Sequence, residues 1–143
     1  MLTRERFVRM FRISAAVEAI HFVEEWSTGF HVRFPALFGL APWPDRFFAV
    51  LCIALVVLWL VAASALVRGK RPALFVAWFF AFTMVVDGLG HSILAVVSIG
   101  YFPGLFTSPL VGICGLWLLL RLLDLTDRWS VGIREGGRID ADQ

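Results

Sequence analysis

Two short stretches of this chain combine histidine with carboxylates inside otherwise apolar sequence. The first contains His21, Glu24 and Glu25, and the second contains Asp87 and His91. Ionisable side chains are costly in hydrocarbon, so their presence in apolar segments points to function. Imidazoles and carboxylates can transfer protons near neutral pH, and they can also bind a divalent metal.

The spacing within each stretch predicts that these side chains share a helix face. Glu18, His21 and Glu25 are related as i, i+3 and i+7, and Asp87 and His91 as i and i+4. Residues at these separations lie above one another on an α-helix. If both stretches are helical, each therefore presents one polar stripe to its neighbours.

The composition indicates an integral membrane protein. Of 143 residues, 59% are hydrophobic and 17% are charged, against roughly 45–50% and ~25% in soluble globular domains. The length suits a single domain over residues 1–143. The net charge of +2 gives no indication of nucleic-acid binding, and we expect no nucleic-acid partner. Cys52 and Cys114 lack metal-type spacing and are expected to be small core residues.

Four apolar segments predict an all-α, polytopic bundle of four transmembrane helices. The predicted helices cover about residues 8–30, 47–67, 73–100 and 105–123, followed by a polar tail over 129–143. A run of about 20 apolar residues is long enough to cross a bilayer core. The first segment carries several charges, so an amphipathic helix lying at the interface is its alternative. Prolines and glycine in residues 31–46 are expected to break helical structure there.

The distribution of basic residues sets the predicted orientation. Eleven of the thirteen Lys and Arg residues fall before the first helix, between the second and third, or after the fourth. Arg33 and Arg46 are the two in the remaining loops. The positive-inside rule places the basic side, and with it both termini, in the cytoplasm. The predicted location is the bacterial inner membrane, crossed several times.

This orientation makes the first and third predicted helices parallel and brings their polar stripes to a similar depth. Glu25 is 13 residues beyond Arg12, and Asp87 is 16 residues beyond Arg71. These separations correspond to roughly 20 Å and 24 Å along a helix. We therefore expect one intramembrane site in the outer half of the bundle.

The first function that we consider is proton-transfer catalysis on a lipidic small molecule, of the isomerase, cyclase or hydratase type. Opposed imidazoles and carboxylates beside an apolar pocket suit this chemistry. The predicted catalytic residues are His21, Glu24, Glu25, Asp87 and His91. The predicted substrate-binding residues are Glu18, Phe22, Trp26, Trp78 and Ser92.

Two other classes of function remain open. A metal-dependent membrane hydrolase or oxidase would use ligands drawn from His21, Glu25, His31, Asp87 and His91. Across these hypotheses the expected cofactor is therefore either none or one divalent metal such as zinc or iron. A non-enzymatic ligand-binding or accessory membrane subunit would use the same polar groups to hold a ligand or to join helices. The expected partners are the lipid bilayer, a hydrophobic small molecule, and either further copies of the chain or a partner membrane subunit. Gly88, Gly90, Gly112 and Gly115 are candidates for close helix packing.

The pentapeptide from His21 to Glu25, His-Phe-Val-Glu-Glu, resembles the motif that names a family of small bacterial membrane proteins, H-x-x-E-E. Members of that family are similar in having a later helix with a central histidine, here His91. In this chain the later helix is followed by a Tyr-x-Pro-Gly turn, from Tyr101 to Gly104, and then by Thr107. The resemblance covers about residues 15–120. It implies that His21, Glu24 and Glu25 matter, and it implies no particular reaction because the family has no assigned activity.

Overall fold

The computed structural model describes residues 4–139, and within them the side chains of residues 5–124. That part of the chain forms four long α-helices and one short one. They are α1 (Arg4–Thr28), α2 (Phe30–Ala36), α3 (Asp45–Val67), α4 (Pro72–Val97) and α5 (Ser108–Ile139). The all-α prediction is confirmed for the described residues.

The helix boundaries lie within a few residues of the predicted ones, apart from three larger differences. Helix α1 begins at Arg4 rather than near residue 8, so its basic residues belong to its first turns. Helix α2 lies inside the predicted loop over 31–46. Helix α5 continues to Ile139 rather than ending near 123, and the rest of the predicted tail, 140–143, lies outside the described residues.

Helix α2 contains Pro35, and the backbone carbonyl that this proline leaves unpaired accepts a hydrogen bond from elsewhere in the chain. A proline lacks the N–H that would bond to the carbonyl four residues earlier. The His31 carbonyl, freed in this way, accepts a hydrogen bond from the Trp43 N–H at 2.9 Å. Gly29, with a φ of 83°, separates α2 from α1, because that left-handed conformation favours glycine.

The closest helix pair is α4 with α5. A Cβ atom added to Gly88 would lie 2.5 Å from the Gly112 Cα, and one added to Gly115 would lie 2.7 Å from the Met84 Cβ. Small residues allow this approach of two backbones. A Cβ added to Gly90 would meet nothing within 4 Å, so the expected packing role applies to the other three glycines.

The apolar core fills one half of the bundle. Phe80 of α4 packs edge-on against Phe11 of α1 at 5.0 Å and stacks on Trp59 of α3 at 4.5 Å between ring centroids. These residues belong to a buried cluster that includes Ala77, Leu118 and Leu122. The core lies toward the end of the bundle where α1 begins, which leaves the other half for the polar residues.

Two of the described helices, α3 and α4, are long and apolar enough to cross a membrane. Helix α1 matches them in length but carries arginines in its first half and glutamates in its second. Membrane association is therefore weakly supported, by two candidate spans rather than the four that were predicted.

Candidate functional site

Four of the predicted site residues meet between α1 and α4. His21, Glu25, Asp87 and His91 each offer one ligand atom, and these atoms all lie within 4.8 Å of one another. We call these four residues the His/carboxylate cluster. His21, Glu25 and His91 are almost completely buried, while 30% of the Asp87 side chain is exposed.

The cluster forms because each helix contributes an i, i+4 pair. Helix α1 carries His21 and Glu25, and α4 carries Asp87 and His91. Residues four apart lie on one helix face, so each helix turns an imidazole and a carboxylate toward the other. The sequence predicted this meeting from the shared direction and depth of the two segments.

Five of the distances within the cluster are close to those expected between ligands of one metal ion. His21 Nε2 lies 3.3 Å from His91 Nε2 and 2.8 Å from Asp87 Oδ2. His91 Nε2 lies 3.1 Å from Asp87 Oδ1 and 3.2 Å from Glu25 Oε1. The longest of these five distances, from His21 Nε2 to Glu25 Oε1, is 3.8 Å, while the four ligand atoms taken together span up to 4.8 Å. Ligands about 2.05 Å from a tetrahedral zinc ion are separated by about 3.3 Å.

The charges of the cluster also favour a cation. Two carboxylates carry two negative charges, and burial of uncompensated charge is strongly unfavourable. Protonating both imidazoles would direct two N–H groups at each other across 3.3 Å. Asp87 Oδ2 is buried without a hydrogen-bond partner in the described part of the chain, although it lies 2.8 Å from His21 Nε2. A divalent metal would compensate both carboxylates and accept all four ligands.

Glu24 lies outside the cluster and instead holds the chain segment between α4 and α5. Its Oε1 accepts hydrogen bonds from the Tyr101 hydroxyl at 2.8 Å and the Phe106 N–H at 3.0 Å. Its Oε2 accepts from the Thr107 N–H at 2.9 Å and the Thr107 hydroxyl at 2.6 Å. Partial burial, together with the Glu24 carboxylate, raises the pKa of Tyr101, which keeps this phenol a donor at neutral pH. Glu24 thus anchors the segment that precedes α5.

Thr107 joins Glu24 to the cluster and fixes the tautomer of His21. The Thr107 Oγ1 lies 2.7 Å from His21 Nδ1 and 2.6 Å from Glu24 Oε2. Because the carboxylate can only accept, the hydroxyl proton goes to Glu24 and the hydroxyl oxygen accepts from His21 Nδ1–H. A neutral His21 then presents the lone pair of Nε2 to the cluster, as a metal ligand requires.

Gly104, in the turn between α4 and α5, lies against the two histidines of the cluster. It has a φ of 88°, and an added Cβ would lie 2.5 Å from His91 Cε1 and 2.8 Å from His21 Cε1. Both the left-handed backbone and the contact with two imidazoles exclude other residues here. Gly104 therefore packs directly on the imidazole rings of the cluster.

An apolar cleft of about 440 Å³ opens beside the cluster. Its walls come from α1, α2, α3 and α4, and Asp87 and His91 line it together with Glu18 and Phe22. This volume lies in the range of small-molecule sites. We refer to it as the aromatic cleft because its lining includes Phe30, Phe34, Trp59, Phe79 and Phe82.

The other predicted residues lie apart from the cluster. His31 Nε2 is 3.6 Å from Asp45 Oδ1, and Trp26 Nε1 donates to the same oxygen at 2.6 Å. The Ser92 hydroxyl bonds to the Gly88 carbonyl of its own helix. Trp78 packs at the edge of the apolar core and is not among the residues that line the aromatic cleft.

Residue chemistry alone did not single out several residues of the site. Trp59 was not a candidate, and Tyr101, Gly104 and Thr107 were noted only as parts of the family pattern. That pattern was the only sequence signal for these three residues. The contacts of Tyr101 with Glu24 and of Thr107 with His21 join residues 77 and 86 positions apart in the chain.

Comparison with known proteins identified a protein family for this chain. Searches among curated proteins and solved structures gave no match. The family model described as a protein of unknown function with HXXEE motif matches residues 13–118. The matched range contains the motif itself, the cluster histidine of α4 and the turn that Glu24 anchors. The chain therefore belongs to the family of proteins of unknown function with an HXXEE motif.

Proposed function

We propose that this protein is a membrane-embedded metalloenzyme that acts on an apolar small molecule. One divalent transition metal, zinc or iron, is held by His21, Glu25, Asp87 and His91. The observation that carries the proposal is the convergence of four ligand atoms from two helices within 4.8 Å. Mixed imidazole and carboxylate ligands suit both metals.

The aromatic cleft supports an apolar substrate. It reaches the cluster at Asp87 and His91, and Asp87 is the most exposed of the four ligands. A substrate in the cleft would approach the metal from this side. A bound zinc or iron ion would supply a Lewis acid for hydrolysis, or oxygen chemistry in the case of iron.

The surfaces of the long helices support a multi-pass location in the bacterial inner membrane. Large apolar side chains are exposed on each, for example Ile20 of α1 (62%), Ile53 of α3 (64%), Phe82 of α4 (60%) and Ile113 of α5 (66%). Extensive exposed apolar surface marks contact with lipid or with another protein. With the basic residues concentrated on one side, this surface favours four spans with cytoplasmic termini.

Metal-free proton transfer on a lipidic molecule is the second candidate, and one observation favours it. Tyr101, Glu24, Thr107 and His21 form a continuous chain of hydrogen bonds that leads from the turn into the cluster. Such a chain could move a proton to or from His21 during an isomerase, cyclase or hydratase reaction. The cluster would then act as acid and base rather than as a ligand set.

Metal content separates the two candidates. The protein is purified from membranes in mild detergent without chelator, and zinc and iron are measured by inductively coupled plasma mass spectrometry. We expect about one ion per chain, lost in His21→Ala and His91→Ala. His31→Ala is the matched control and should keep the ion, because His31 lies outside the cluster.

Circular dichroism and size-exclusion chromatography establish that each variant is folded. A folded wild-type protein that takes up neither zinc nor iron, even after incubation with each, would exclude the metalloenzyme and favour proton transfer. Retention of the ion by both histidine variants would place it elsewhere in the protein.

A further inference from the structure

Two residues that line the aromatic cleft but lie outside the His/carboxylate cluster carry buried polar atoms that lack partners. Glu18 Oε2 and Trp59 Nε1 have no hydrogen-bond partner among the described residues. Their side chains are almost fully enclosed, with 5% of Glu18 and 2% of Trp59 exposed. Both residues line the cleft that reaches the cluster. Native structures rarely leave such groups unpaired, because an unsatisfied buried polar atom is destabilising.

The chemistry of these two atoms specifies the group that would satisfy them. The indole N–H of Trp59 can only donate a hydrogen bond, whereas a carboxyl group such as Glu18 accepts when ionised and also donates when protonated. A hydroxyl group both donates and accepts, so it has the groups to pair with Trp59 and with either form of Glu18. A ketone or ether oxygen accepts from Trp59 but gives an ionised Glu18 no donor.

We propose that the aromatic cleft binds an elongated apolar alcohol, with its hydroxyl held by Glu18 and Trp59 and its body extending toward Asp87 and His91. This inference deepens the proposed function by naming its substrate class. Glu18 precedes the cluster residue Glu25 by seven residues on α1, about 10 Å along the helix. His21 is only three residues from Glu18, about 4.5 Å along the helix, so the bond that reacts would lie between about 4.5 and 10 Å from the hydroxyl along the helix axis.

The exposed apolar residues at the edge of the cleft give such a molecule a route from the bilayer. Three lining residues of α4 are half or more exposed: Phe79 at 50%, Phe82 at 60% and Val86 at 52%. They form an apolar rim on the outward face of the helix. A lipid-dissolved alcohol can enter sideways across this rim without passing through water.

Photolabelling in nanodiscs tests the inference. The probe is a long-chain alcohol with a diazirine in its chain, and the matched probe is the methyl ether of the same alcohol, which cannot donate. We expect the alcohol to label peptides of the cleft, with labelling abolished by excess unlabelled long-chain alcohol. Losing one hydrogen bond should reduce labelling by the ether about tenfold.

The variants Glu18→Leu and Trp59→Phe should each reduce labelling by the alcohol to the level seen with the ether. Neither removes a recorded protein hydrogen bond, but Trp59→Phe leaves a void beside Phe80 in the apolar core, and core voids are destabilising. Circular dichroism therefore establishes that each variant is folded before it is labelled. Trp117→Phe is the matched control, since Trp117 is not among the residues that line the cleft, and it should label normally. Equal labelling by alcohol and ether, or undiminished labelling of Glu18→Leu, would overturn the inference.

Metal content measured on the same samples separates this inference from the proposed function. Glu18→Leu and Trp59→Phe should keep the ion, because neither residue belongs to the cluster. A wild-type protein that holds metal but labels equally with both probes would contradict the substrate class alone. Selective labelling of a metal-free protein would contradict the metal and leave alcohol binding in place.

Discussion

At the scale of single residues, the two adjacent glutamates of the motif, Glu24 and Glu25, make different contacts. Successive residues of a helix point about 100° apart. Glu25, four residues after His21, therefore joins the cluster, while Glu24 faces the turn. Glu24 was predicted as a catalytic residue; in the structure the recorded hydrogen bonds of its carboxylate go to Tyr101, Phe106 and Thr107. Its contact with His21 runs through the Thr107 hydroxyl.

Replacing Thr107 by valine tests this indirect contact. The change removes the oxygen that accepts from His21 Nδ1–H while keeping the shape of the side chain. Loss of such an outer hydrogen bond typically weakens metal binding about 10- to 100-fold, and we expect that loss here. Titration of zinc against a competing chromophoric chelator measures it.

Thr107→Ser is the matched control, because serine keeps the hydroxyl and should bind metal as the wild type does. Unchanged zinc affinity in Thr107→Val would show that Thr107 does not orient His21. Weak binding in both variants would point to the lost methyl group rather than to the hydrogen bond.

At the scale of elements, the position of α4 depends on its close contact with α5. Gly88 is adjacent to Asp87 in sequence, and it faces Gly112 with no room for a side chain. The turn between these helices then brings Gly104 onto His21 and His91. The helix pair and its turn therefore set the geometry of half of the cluster.

Alanine substitution at two neighbouring glycines of α4 tests the importance of this contact. Gly88→Ala must push α4 away from α5, and overpacking of this kind costs about 1–3 kcal/mol. Gly90→Ala meets no atom within 4 Å and gains up to about 1 kcal/mol of helix propensity. Thermal unfolding in detergent should show a lower midpoint for Gly88→Ala and an unchanged or higher one for Gly90→Ala. Equal midpoints would contradict the tight packing of α4 on α5.

At the scale of the whole molecule, the polar cluster and the apolar core occupy opposite halves of the bundle. The core lies near the start of α1, where the arginines are concentrated. The cluster lies near the end of α1, beside α2 and the turn before α5. In the proposed orientation, the cluster is thus closer to the outer surface of the inner membrane.

Cysteine labelling in intact cells tests this topology. Single cysteines are introduced as Glu5→Cys, Leu40→Cys, Lys70→Cys and Ile99→Cys, in a chain whose Cys52 and Cys114 are replaced by alanine. A membrane-impermeant maleimide should label positions 40 and 99, and it should label 5 and 70 only after the cells are lysed. Labelling of position 5 in intact cells would contradict the spanning of α1 and favour an interfacial helix.

Local features of the sequence were enough to predict the helical class and to include all four cluster residues among the candidates, although Glu24 and His31 were candidates too and lie outside the cluster. Periodicity places His21 with Glu25 and Asp87 with His91, since helix geometry alone determines which side chains share a face. The distribution of Lys and Arg made the first and third predicted helices parallel, which brought the two pairs to one depth. Polar groups buried in apolar helices have few stable arrangements other than meeting one another.

The tertiary structure alone decided how the remaining residues complete the site. Glu24 anchors a turn 77 to 83 residues away, Gly104 packs against both imidazoles, and Trp59 shares a cleft with Glu18. These contacts depend on how each helix is rotated about its axis and on where the turn before α5 folds back. Helix periodicity determines which residues share a face, but packing determines how each helix is rotated about its axis. Here the packing is set by the glycine contacts between α4 and α5 and by the aromatic core.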